Sequence, residues 1–299
     1  MKKMHIIVVL GPTASGKSDF AVNLAINLSR AIHGDPNRTT SRSCEIISAD
    51  SRQLYKDLDI GTGKITKEEM KGVPHHMLSV YELDEEVSVA RFARDCAPVI
   101  EDIFARNKTP IICGGTGQYI DALIYNTQIP KVEPNKKLRE ELEKKTTEEL
   151  FEELTRQDLV RASSIDKHNR VRIIRALEII HTLGKVPVQD TPELRYSTEI
   201  YLMNITRELL RNRITKRLEK RLKQGMIQEV QDIMKKGYTS YTMKKFGLEY
   251  VTIGKYLEGT LTEENMKEEL ITKSMQYAKR QQTWNKKYLP TAITIDMKE

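Results

Sequence analysis

The stretch IIVVLGPTASGKSDF, residues 6–20, contains the feature that decides the fold. An apolar run ends at Gly11, and the residues from there to Ser18 have the spacing G-x-x-x-x-G-K-[ST]. The run is typical of a buried strand, and the apolar spacing within residues 16–30 predicts a helix. A strand, a glycine-rich loop and a helix in this order are the setting of a phosphate-binding P-loop.

This loop supplies the groups that hold a phosphate chain. Its glycines allow backbone N–H groups to turn inward, and the following helix adds its N-terminal N–H groups. Lys17 adds a mobile positive charge, and the Ser18 hydroxyl can bind Mg²⁺. The sequence therefore predicts a diphosphate or triphosphate with magnesium, held by Gly11, Pro12, Thr13, Ala14, Ser15, Gly16, Lys17 and Ser18.

A second apolar run, EIISAD at residues 45–50, ends in Asp50. In an NTPase, a carboxylate at this position holds the metal ion. The residues that follow, SRQLYKDLDIGTGK, are unlike a simple metal-binding strand and are typical of a substrate-binding loop. At this point Asp50 can be either a metal ligand or a carboxylate that faces the substrate.

Strands alternate with helices along the first part of the chain. The stretch TPIICGGTG, residues 109–117, repeats the pattern of an apolar run, glycines and a helix. We therefore expect an α/β fold in which a parallel sheet is flanked by helices. We also expect a loop at 31–44, a strand at 200–205 and two long helices at 207–235 and 262–287.

The composition changes near Pro130. Strong helix formers and charged residues dominate EPNKKLREELEKKTTEELFEELTRQD, and a further helix is predicted to end near Gly184. We therefore divide the chain into an α/β core, residues 1–129 and 191–299, and an all-helical insertion, residues 130–190. Most charges of the insertion are expected to lie on a solvated surface.

Composition limits the class of protein and of partner. The 299 residues include 49 Lys and Arg against 42 Asp and Glu, and the formal net charge of +7 suits an anionic partner. No stretch approaches the length of a membrane span, and the apolar run at 6–10 is too short for a signal peptide. Cys44, Cys96 and Cys113 lie far apart, which is typical of small buried residues rather than a zinc site. We expect a monomeric cytoplasmic protein without a membrane partner.

Six sequence blocks, in order from residue 11 to residue 284, resemble the tRNA dimethylallyltransferases of bacterial type. They are GPTASGKS, ISADSRQLYKDLDIGTGK, PHHM, GGTGQYIDAL, RALEI and AKRQQTW. The resemblance implies transfer of a dimethylallyl group from dimethylallyl diphosphate to the exocyclic amine of the adenine directly 3′ of the anticodon, with release of diphosphate. It also implies Mg²⁺ as cofactor, a P-loop NTPase-like core, and a helical insertion that grips the tRNA anticodon stem-loop.

The family's catalytic and donor-binding residues match positions that make chemical sense here. An adenine amine is a weak nucleophile because its lone pair is delocalised, and by the resemblance Asp50 is the base that takes its proton. Lys17, the loop N–H groups and Mg²⁺ would stabilise the charge on the departing diphosphate. The resemblance adds Thr116 in the channel, and it adds Arg213 and Arg217 toward the diphosphate, because an arginine fork fits this group better than a lysine does.

The resemblance also marks a set of RNA-binding positions. Gln53 has the amide geometry to read an adenine edge, and Trp284 can stack on a base. A polar surface loop is the alternative for residues 51–53, and core packing is the alternative for Trp284. The full set is Asp50, Ser51, Arg52, Gln53, Arg139, Val171, Arg172, Arg175, Lys279, Arg280, Gln281, Gln282, Trp284 and Lys286.

The segment 207–223, RELLRNRITKRLEKRLK, is strongly basic. Its apolar residues recur every four positions and predict a buried stripe, so the basic residues face mostly outward. A solvated face is the usual meaning of such a pattern. The stripe consists of Leu210, Ile214, Leu218 and Leu222.

Two features do not fit the family pattern or a catalytic role. The family commonly has a Gly-Tyr pair before the YLEG element, whereas this chain has Glu249 before Tyr250. His75 and His76 are adjacent and point in different directions on regular structure, so a shared metal is not expected. We interpret them as structural or donor-side residues and assign them no catalysis.

Three rival functions are considered at this stage. An adenylate isopentenyltransferase would act on free adenine nucleotides, and the insertion and the AKRQQTW block argue against it. A P-loop small-molecule kinase would use the loop for ATP. A P-loop RNA-binding protein without activity would bind tRNA and transfer nothing.

Overall fold

The computed structural model divides the chain into two compact units. One unit comprises Met1–Tyr125 and Leu194–Glu299, and the other comprises Asn126–Glu193. The loop expected at 31–44 lies outside the described residues except for its last two positions. The structure describes residues 4–30, 43–126, 130, 132–187 and 192–298.

Strands and helices alternate through the chain as follows. The strands are β1 (His5–Leu10), β2 (Cys44–Ser48), β3 (His75–His76), β4 (Thr109–Gly114), β5 (Ser197–Asn204) and β6 (Ile293–Asp296). The helices are α1 (Lys17–Arg30), α2 (Lys67–Met70), α3 (Val89–Ala105), α4 (Gly117–Ile124), α5 (Lys136–Leu142), α6 (Thr147–Gln157), α7 (Leu159–Ser164), α8 (Arg170–Leu183), α9 (Arg207–Lys223), α10 (Met226–Lys235), α11 (Leu248–Leu257) and α12 (Glu263–Asn285). Short 3₁₀ helices cover Thr242–Phe246 and Lys286–Tyr288.

Within the described residues, the first unit is built on a six-stranded sheet of order β3-β2-β4-β1-β5-β6. Every neighbouring pair of these strands is parallel. The expectation of a parallel sheet flanked by helices is therefore confirmed. Because parallel strands end at the same edge, the segments that follow β1, β2 and β4 lie side by side, where open α/β sheets bind ligands.

Both faces of the sheet are buried along β1, β2 and β4, as is typical of parallel strands covered by helices on both sides. In β1, successive side chains alternate between the faces: Ile6, Val8 and Leu10 join one core cluster, while Ile7 and Val9 join the other. The first cluster receives residues from α3, α4, α10, α11 and α12, and the second receives residues from α1. The unit is therefore a three-layer α/β core.

The expectation of one long helix at 207–235 is wrong. The structure has two helices, α9 and α10, because Gly225 has φ +99°, a left-handed conformation that ends α9 and favours glycine. The strand expected at 200–205 and the helix expected at 262–287 are confirmed as β5 and α12. The predicted stripe of α9 is buried at Leu210 and Ile214 and partly buried at Leu218 and Leu222. The helix also has a buried arginine outside this stripe, Arg221, which is 9% exposed.

The second unit consists of helices α5 to α8 around its own small core. That core contains leucines, isoleucines and alanines from all four helices. Glu178 on α8 is 1% exposed, and it accepts hydrogen bonds from the backbone N–H of Asn135 and from Arg139. Helix α8 ends at Gly184, as predicted.

Other features expected from composition can be compared with the described part of the chain. No helix in it is long and apolar enough to cross a bilayer. The three cysteines, Cys44, Cys96 and Cys113, are buried, as their spacing predicted.

Candidate active site

The P-loop lies between β1 and α1 and forms a cradle. Ala14 has φ +62°, and the Ser15 N–H donates to the Pro12 carbonyl at 3.2 Å, so the backbone is folded tightly back on itself. The Ser15 hydroxyl is buried, and it has no hydrogen-bond partner among the described residues. Since buried polar atoms are normally satisfied, the loop is suited to an anion that would supply the missing partner.

Asp50 and Thr116 follow neighbouring strands, β2 and β4. The carboxylate of Asp50 accepts the N–H of Arg52 at 2.9 Å. The Thr116 hydroxyl accepts the N–H of Ser51 at 3.1 Å, and the Thr116 N–H donates to the Ala49 carbonyl at 3.2 Å. The two candidate catalytic residues therefore belong to one hydrogen-bonded pair of loops.

Helix α9 presents a row of arginines to the P-loop. Arg213 donates to the Ser15 carbonyl at 3.2 Å, and Arg217 donates to the Thr13 hydroxyl at 2.7 Å. Arg221, one turn further along, donates to the Gly61 carbonyl at 3.1 Å. The spacing of four residues places all three arginines on one helical face. Two of them, Arg213 and Arg217, are residues that the sequence analysis placed near the diphosphate.

The cations near the P-loop are poorly solvated. Burial lowers the pKa of the Lys17 ammonium, and the nearby charges of Cys113 and Asp50 act in the opposite direction. Burial also lowers the pKa of the Arg217 guanidinium, and the adjacent charge of Arg221 lowers it further. By exposed area Lys17 and Arg217 are partly buried, and Arg221 is buried. Neighbouring cations with reduced solvation are unfavourable unless an anion joins them, so the charge arrangement fits a polyanionic ligand.

A carboxylate, Glu249, lies in the same region. It lines a small cavity together with Arg217, Arg221 and Ser274. Burial raises the pKa of Glu249, and the charge of Arg221 opposes that rise. The other lining residues are apolar: Ile214, Leu218, Met226 and Leu270.

Two predicted RNA-binding glutamines are bonded inside the protein. Gln281 accepts the Thr13 N–H at 2.7 Å and donates to the Gly115 carbonyl at 2.9 Å, and its side chain is buried. Gln53 accepts the Ser48 hydroxyl at 3.2 Å and donates to the Gly63 carbonyl at 3.1 Å. Each amide joins loops at the sheet edge, which favours a positioning role for both.

The remaining predicted RNA positions of the first unit vary in exposure. Lys279, Arg280 and Lys286 are exposed on or just after α12, and Gln282 is partly buried. The Arg52 guanidinium donates to the Lys245 carbonyl.

Trp284 is partly buried and packs against the core. Its indole lies against Gly117, where a Cβ atom would come within 2.1 Å of the ring. The Trp284 indole N–H is buried and has no hydrogen-bond partner among the described residues.

The predicted positions in the second unit fall into two groups. Val171 is 77% exposed, and Arg172 is exposed beside it at the start of α8. Arg139 forms a two-pronged pair with Glu178 at 2.7 and 2.9 Å, and Arg175 donates to the Val132 carbonyl at 2.8 Å. The exposed pair is available to a partner, whereas the guanidinium groups of Arg139 and Arg175 already support the unit's own fold.

The sequence interpretation assigned no role to four residues that contact or surround the site. They are Arg221, Glu229, Glu249 and Tyr277. Burial raises the pKa of Tyr277 to about 12, and the charge of Asp50 adds to this rise. The four-residue spacing from Arg213 and Arg217 is a signal that could have marked Arg221. Glu249 stood out only as a departure from the family pattern, and no local pattern marks Glu229 or Tyr277.

Comparisons with known proteins give the family. A family model described as IPP transferase matches residues 53–288. The chain belongs to this family. A tRNA dimethylallyltransferase of Caldanaerobacter subterraneus is 38% identical over 297 residues, covering 95% of this chain and 90% of the relative. One of Clostridioides difficile is 36% identical over 305 residues, covering 99% and 93%.

Solved structures of IPP transferase relatives agree with this result. The full-length tRNA isopentenylpyrophosphate transferase of Bacillus halodurans superposes with a TM-score of 0.68 at 31% identity, covering 99% of this chain and 90% of that one. A eukaryotic dimethylallyltransferase, described as acting on tRNA, superposes with a TM-score of 0.80 at 28% identity, covering 98% and 74%. The resemblance inferred from the six sequence blocks is confirmed, and the rival kinase and adenylate-transferase functions are not favoured.

Proposed function

We propose that this protein transfers a dimethylallyl group from dimethylallyl diphosphate to the exocyclic amine of the adenine 3′-adjacent to the anticodon of tRNA, releasing diphosphate. One observation carries the proposal beyond family membership. Poorly solvated cations of the P-loop and α9 gather at the same sheet edge as Asp50. A diphosphate leaving group and a base are the two things this reaction needs on either side of the transferred carbon.

The donor side uses the cradle and the arginine row. The backbone N–H groups at the end of the loop and the start of α1, residues 16–18, and the Lys17 ammonium would hold the diphosphate, with Arg213 and Arg217 closing over it. An allylic carbon ionises readily, so stabilising the negative charge on the departing oxygens lowers the main barrier. The Thr13 hydroxyl, bonded to Arg217, would share this task.

The acceptor side uses Asp50 and Thr116. As the C–N bond forms and the C–O bond to diphosphate breaks, the amine must lose a proton, and the Asp50 carboxylate would accept it. Thr116 would line the channel beside it, held by the N–H of Ser51. The adenine must leave the anticodon stack to reach this position, which costs a few kcal/mol.

Magnesium fits the residues present as a diphosphate-bound ion. Within the described ranges, no group of three His, Cys, Asp or Glu side chains could hold a metal. Mg²⁺ typically keeps waters and substrate oxygens and uses few protein ligands, so the exposed Ser18 hydroxyl would be its protein ligand. When bound, the ion would neutralise charge on the leaving diphosphate.

The RNA-binding set is proposed in a narrower form. The exposed residues Lys279, Arg280, Lys286 and Arg172 suit phosphate contacts, and Val171 suits an apolar contact with an exposed base. The second unit is proposed to bind the anticodon stem-loop through Val171 and Arg172. We also propose that the protein acts on tRNA as a monomer in the cytoplasm.

The test is incubation with unmodified tRNA and dimethylallyl diphosphate, followed by digestion and nucleoside mass analysis. The expected product is an adenosine heavier by one dimethylallyl group at the position 3′ of the anticodon. Lys17→Ala should abolish transfer, whereas Lys67→Ala, an exposed lysine of α2, should not. Prenylation of free AMP alone, or ATP turnover without the isoprenoid, would contradict the proposal.

A further inference from the structure

Glu229 on α10 binds a loop that leads into the active site. One carboxylate oxygen accepts the backbone N–H groups of Asp59 and Ile60 at 2.9 and 2.7 Å. The other accepts the N–H of Gly61 at 2.9 Å and the buried Tyr250 hydroxyl at 2.7 Å. Four donors therefore converge on a single side chain, and bonds to an ionised acceptor are the strong ones.

The same loop holds Arg221 from the other side. The Gly61 carbonyl accepts a hydrogen bond from Arg221 at 3.1 Å. At Gly63, which has φ +61°, a Cβ atom would lie 1.6 Å from the Arg221 guanidinium, so only glycine allows this approach. Gly61 is thus fixed through its N–H by Glu229 and fixes Arg221 through its carbonyl.

Arg221 stands one turn from Arg217 and lines the same cavity. Burial lowers its pKa, and the charge of Glu249 opposes that change. A guanidinium with a flexible side chain binds an anion more tightly when it is already held in place, because less rotamer freedom is lost on binding. The loop supplies that restraint.

We propose that Glu229 is a positioning residue for donor binding. It fixes the loop at residues 59–61, and the loop fixes the Arg221 guanidinium beside Arg217, where it joins the cations that hold the diphosphate. This inference rests on the proposed function, since it takes the donor diphosphate in the P-loop to be the anion near which the charges of Lys17, Arg217 and Arg221 gather. Glu229 touches neither substrate and acts only through Arg221.

Glu229→Gln is the sharpest test, because it preserves size while replacing one accepting oxygen with an NH₂ group that cannot accept from the loop. We expect the KM for dimethylallyl diphosphate to rise about tenfold, as loss of a charge-assisted bond of ~1.4 kcal/mol would give. The KM for tRNA and kcat should stay within about twofold. Asp232→Asn, an exposed acid-to-amide change on the same helix, is the matched control and should leave all three constants unchanged.

A second variant separates positioning from folding. Arg221→Lys keeps the charge but loses the fork that reaches Gly61, and it should raise the KM for the donor by a similar factor. Inorganic pyrophosphate binding, measured by calorimetry without tRNA, should weaken in both variants. If Glu229→Gln does not fold, pyrophosphate binding by Arg221→Lys still tests the inference.

Three outcomes would overturn the inference. They are an unchanged donor KM in Glu229→Gln, an equal rise in both substrate KM values, and unchanged pyrophosphate binding in Arg221→Lys. A wild-type protein that transfers nothing to tRNA would refute the proposed function instead, so the two failures are distinguishable.

Discussion

Asp50 combines a structural bond with its proposed chemical task. Its carboxylate accepts the Arg52 N–H, which shapes the turn after β2, and the same group is proposed to take the proton of the adenine amine. Asparagine keeps an oxygen for the N–H but is not a base. A variant can therefore remove the chemistry and leave the turn in place.

We predict that Asp50→Asn lowers kcat about 10²–10⁴-fold, the usual contribution of a general base, while tRNA affinity stays unchanged. Single-turnover transfer and filter binding measure the two quantities separately. Asp57→Asn, an exposed carboxylate paired with Lys236, is the control and should behave as wild type. Full activity in Asp50→Asn would remove this residue from the chemistry.

Glu249 gives a second prediction at the residue scale. Burial raises its pKa in the folded protein, although the charges of Arg221 and Arg217 partly oppose this and Asp50 adds to it. The folded state then binds a proton more tightly than the unfolded state, so this contribution to stability is present at low pH. It is lost as the pH rises through the folded pKa.

Glu249→Gln should remove the loss of stability that Glu249 causes as the pH rises, because glutamine does not ionise. We expect its Tm, relative to wild type, to rise by roughly 2–4 °C between pH 4 and pH 8, which corresponds to ~1 kcal/mol in a chain of this size. Differential scanning calorimetry at several pH values measures it. A Tm difference that does not change with pH would show that the pKa of Glu249 is the same in the folded and unfolded states.

At the scale of elements, the short edge strand β3 depends on one buried carboxylate. Glu45 on β2 is 2% exposed and lies 2.7 Å from the His76 ring, 2.5 Å from Lys108 and 2.5 Å from the Arg106 guanidinium. The hydrogen bonds from Arg106 are the main cause that holds the pKa of Glu45 well below its usual range. The His76 side chain therefore helps to attach β3 to β2.

We predict that Glu45→Gln destabilises the protein by about 1–3 kcal/mol at pH 7. Removing one partner of a buried pair leaves the other charges uncompensated, and the partial exposure of the cations moderates the effect. Because the folded pKa is lowered, the wild-type advantage should shrink as the pH falls below the usual glutamate range. Urea unfolding measures this, with the exposed Glu101→Gln on α3 as control, and a pH-independent difference would contradict the prediction.

At the scale of the whole molecule, the surplus of positive charge is the relevant property. The net charge of +7 includes exposed basic residues on α12 and α8 that are proposed to meet tRNA phosphates. Each such contact releases counterions when it forms, so affinity must depend on salt. The same charges contribute nothing to reading the base itself.

We predict that tRNA affinity falls about 10–100-fold between ~50 and ~200 mM salt, and that Lys279→Ala reduces the slope of log Kd against log salt by roughly 1. Lys267→Ala, at the other end of α12 and paired with Glu263, is the matched control and should keep the wild-type slope. Filter binding across a salt series gives both values. A salt-independent affinity would argue against the proposed RNA surface.

The sequence by itself determined the phosphate cradle and the α/β class. The P-loop is eight consecutive residues between a strand and a helix, and alternation of strands with helices is typical of a parallel sheet. Short-range sequence patterns are therefore enough to predict both. Asp50 and Thr116 lie at the same sheet edge as residues 11–18 because neighbouring parallel strands end at one edge. The break at Gly225 was missed because a glycine within a helical pattern is often tolerated.

Tertiary packing determines which polar side chains the protein uses for its own hydrogen bonds. Gln281 and Gln53 carry amides that could read a base, and in the structure both amides form hydrogen bonds that join loops of the protein. Glu229 and Glu249 come from separate helices, and their partners lie far away in sequence. The physical reason is that burial and the choice of hydrogen-bond partner depend on how distant segments pack, which no local spacing encodes.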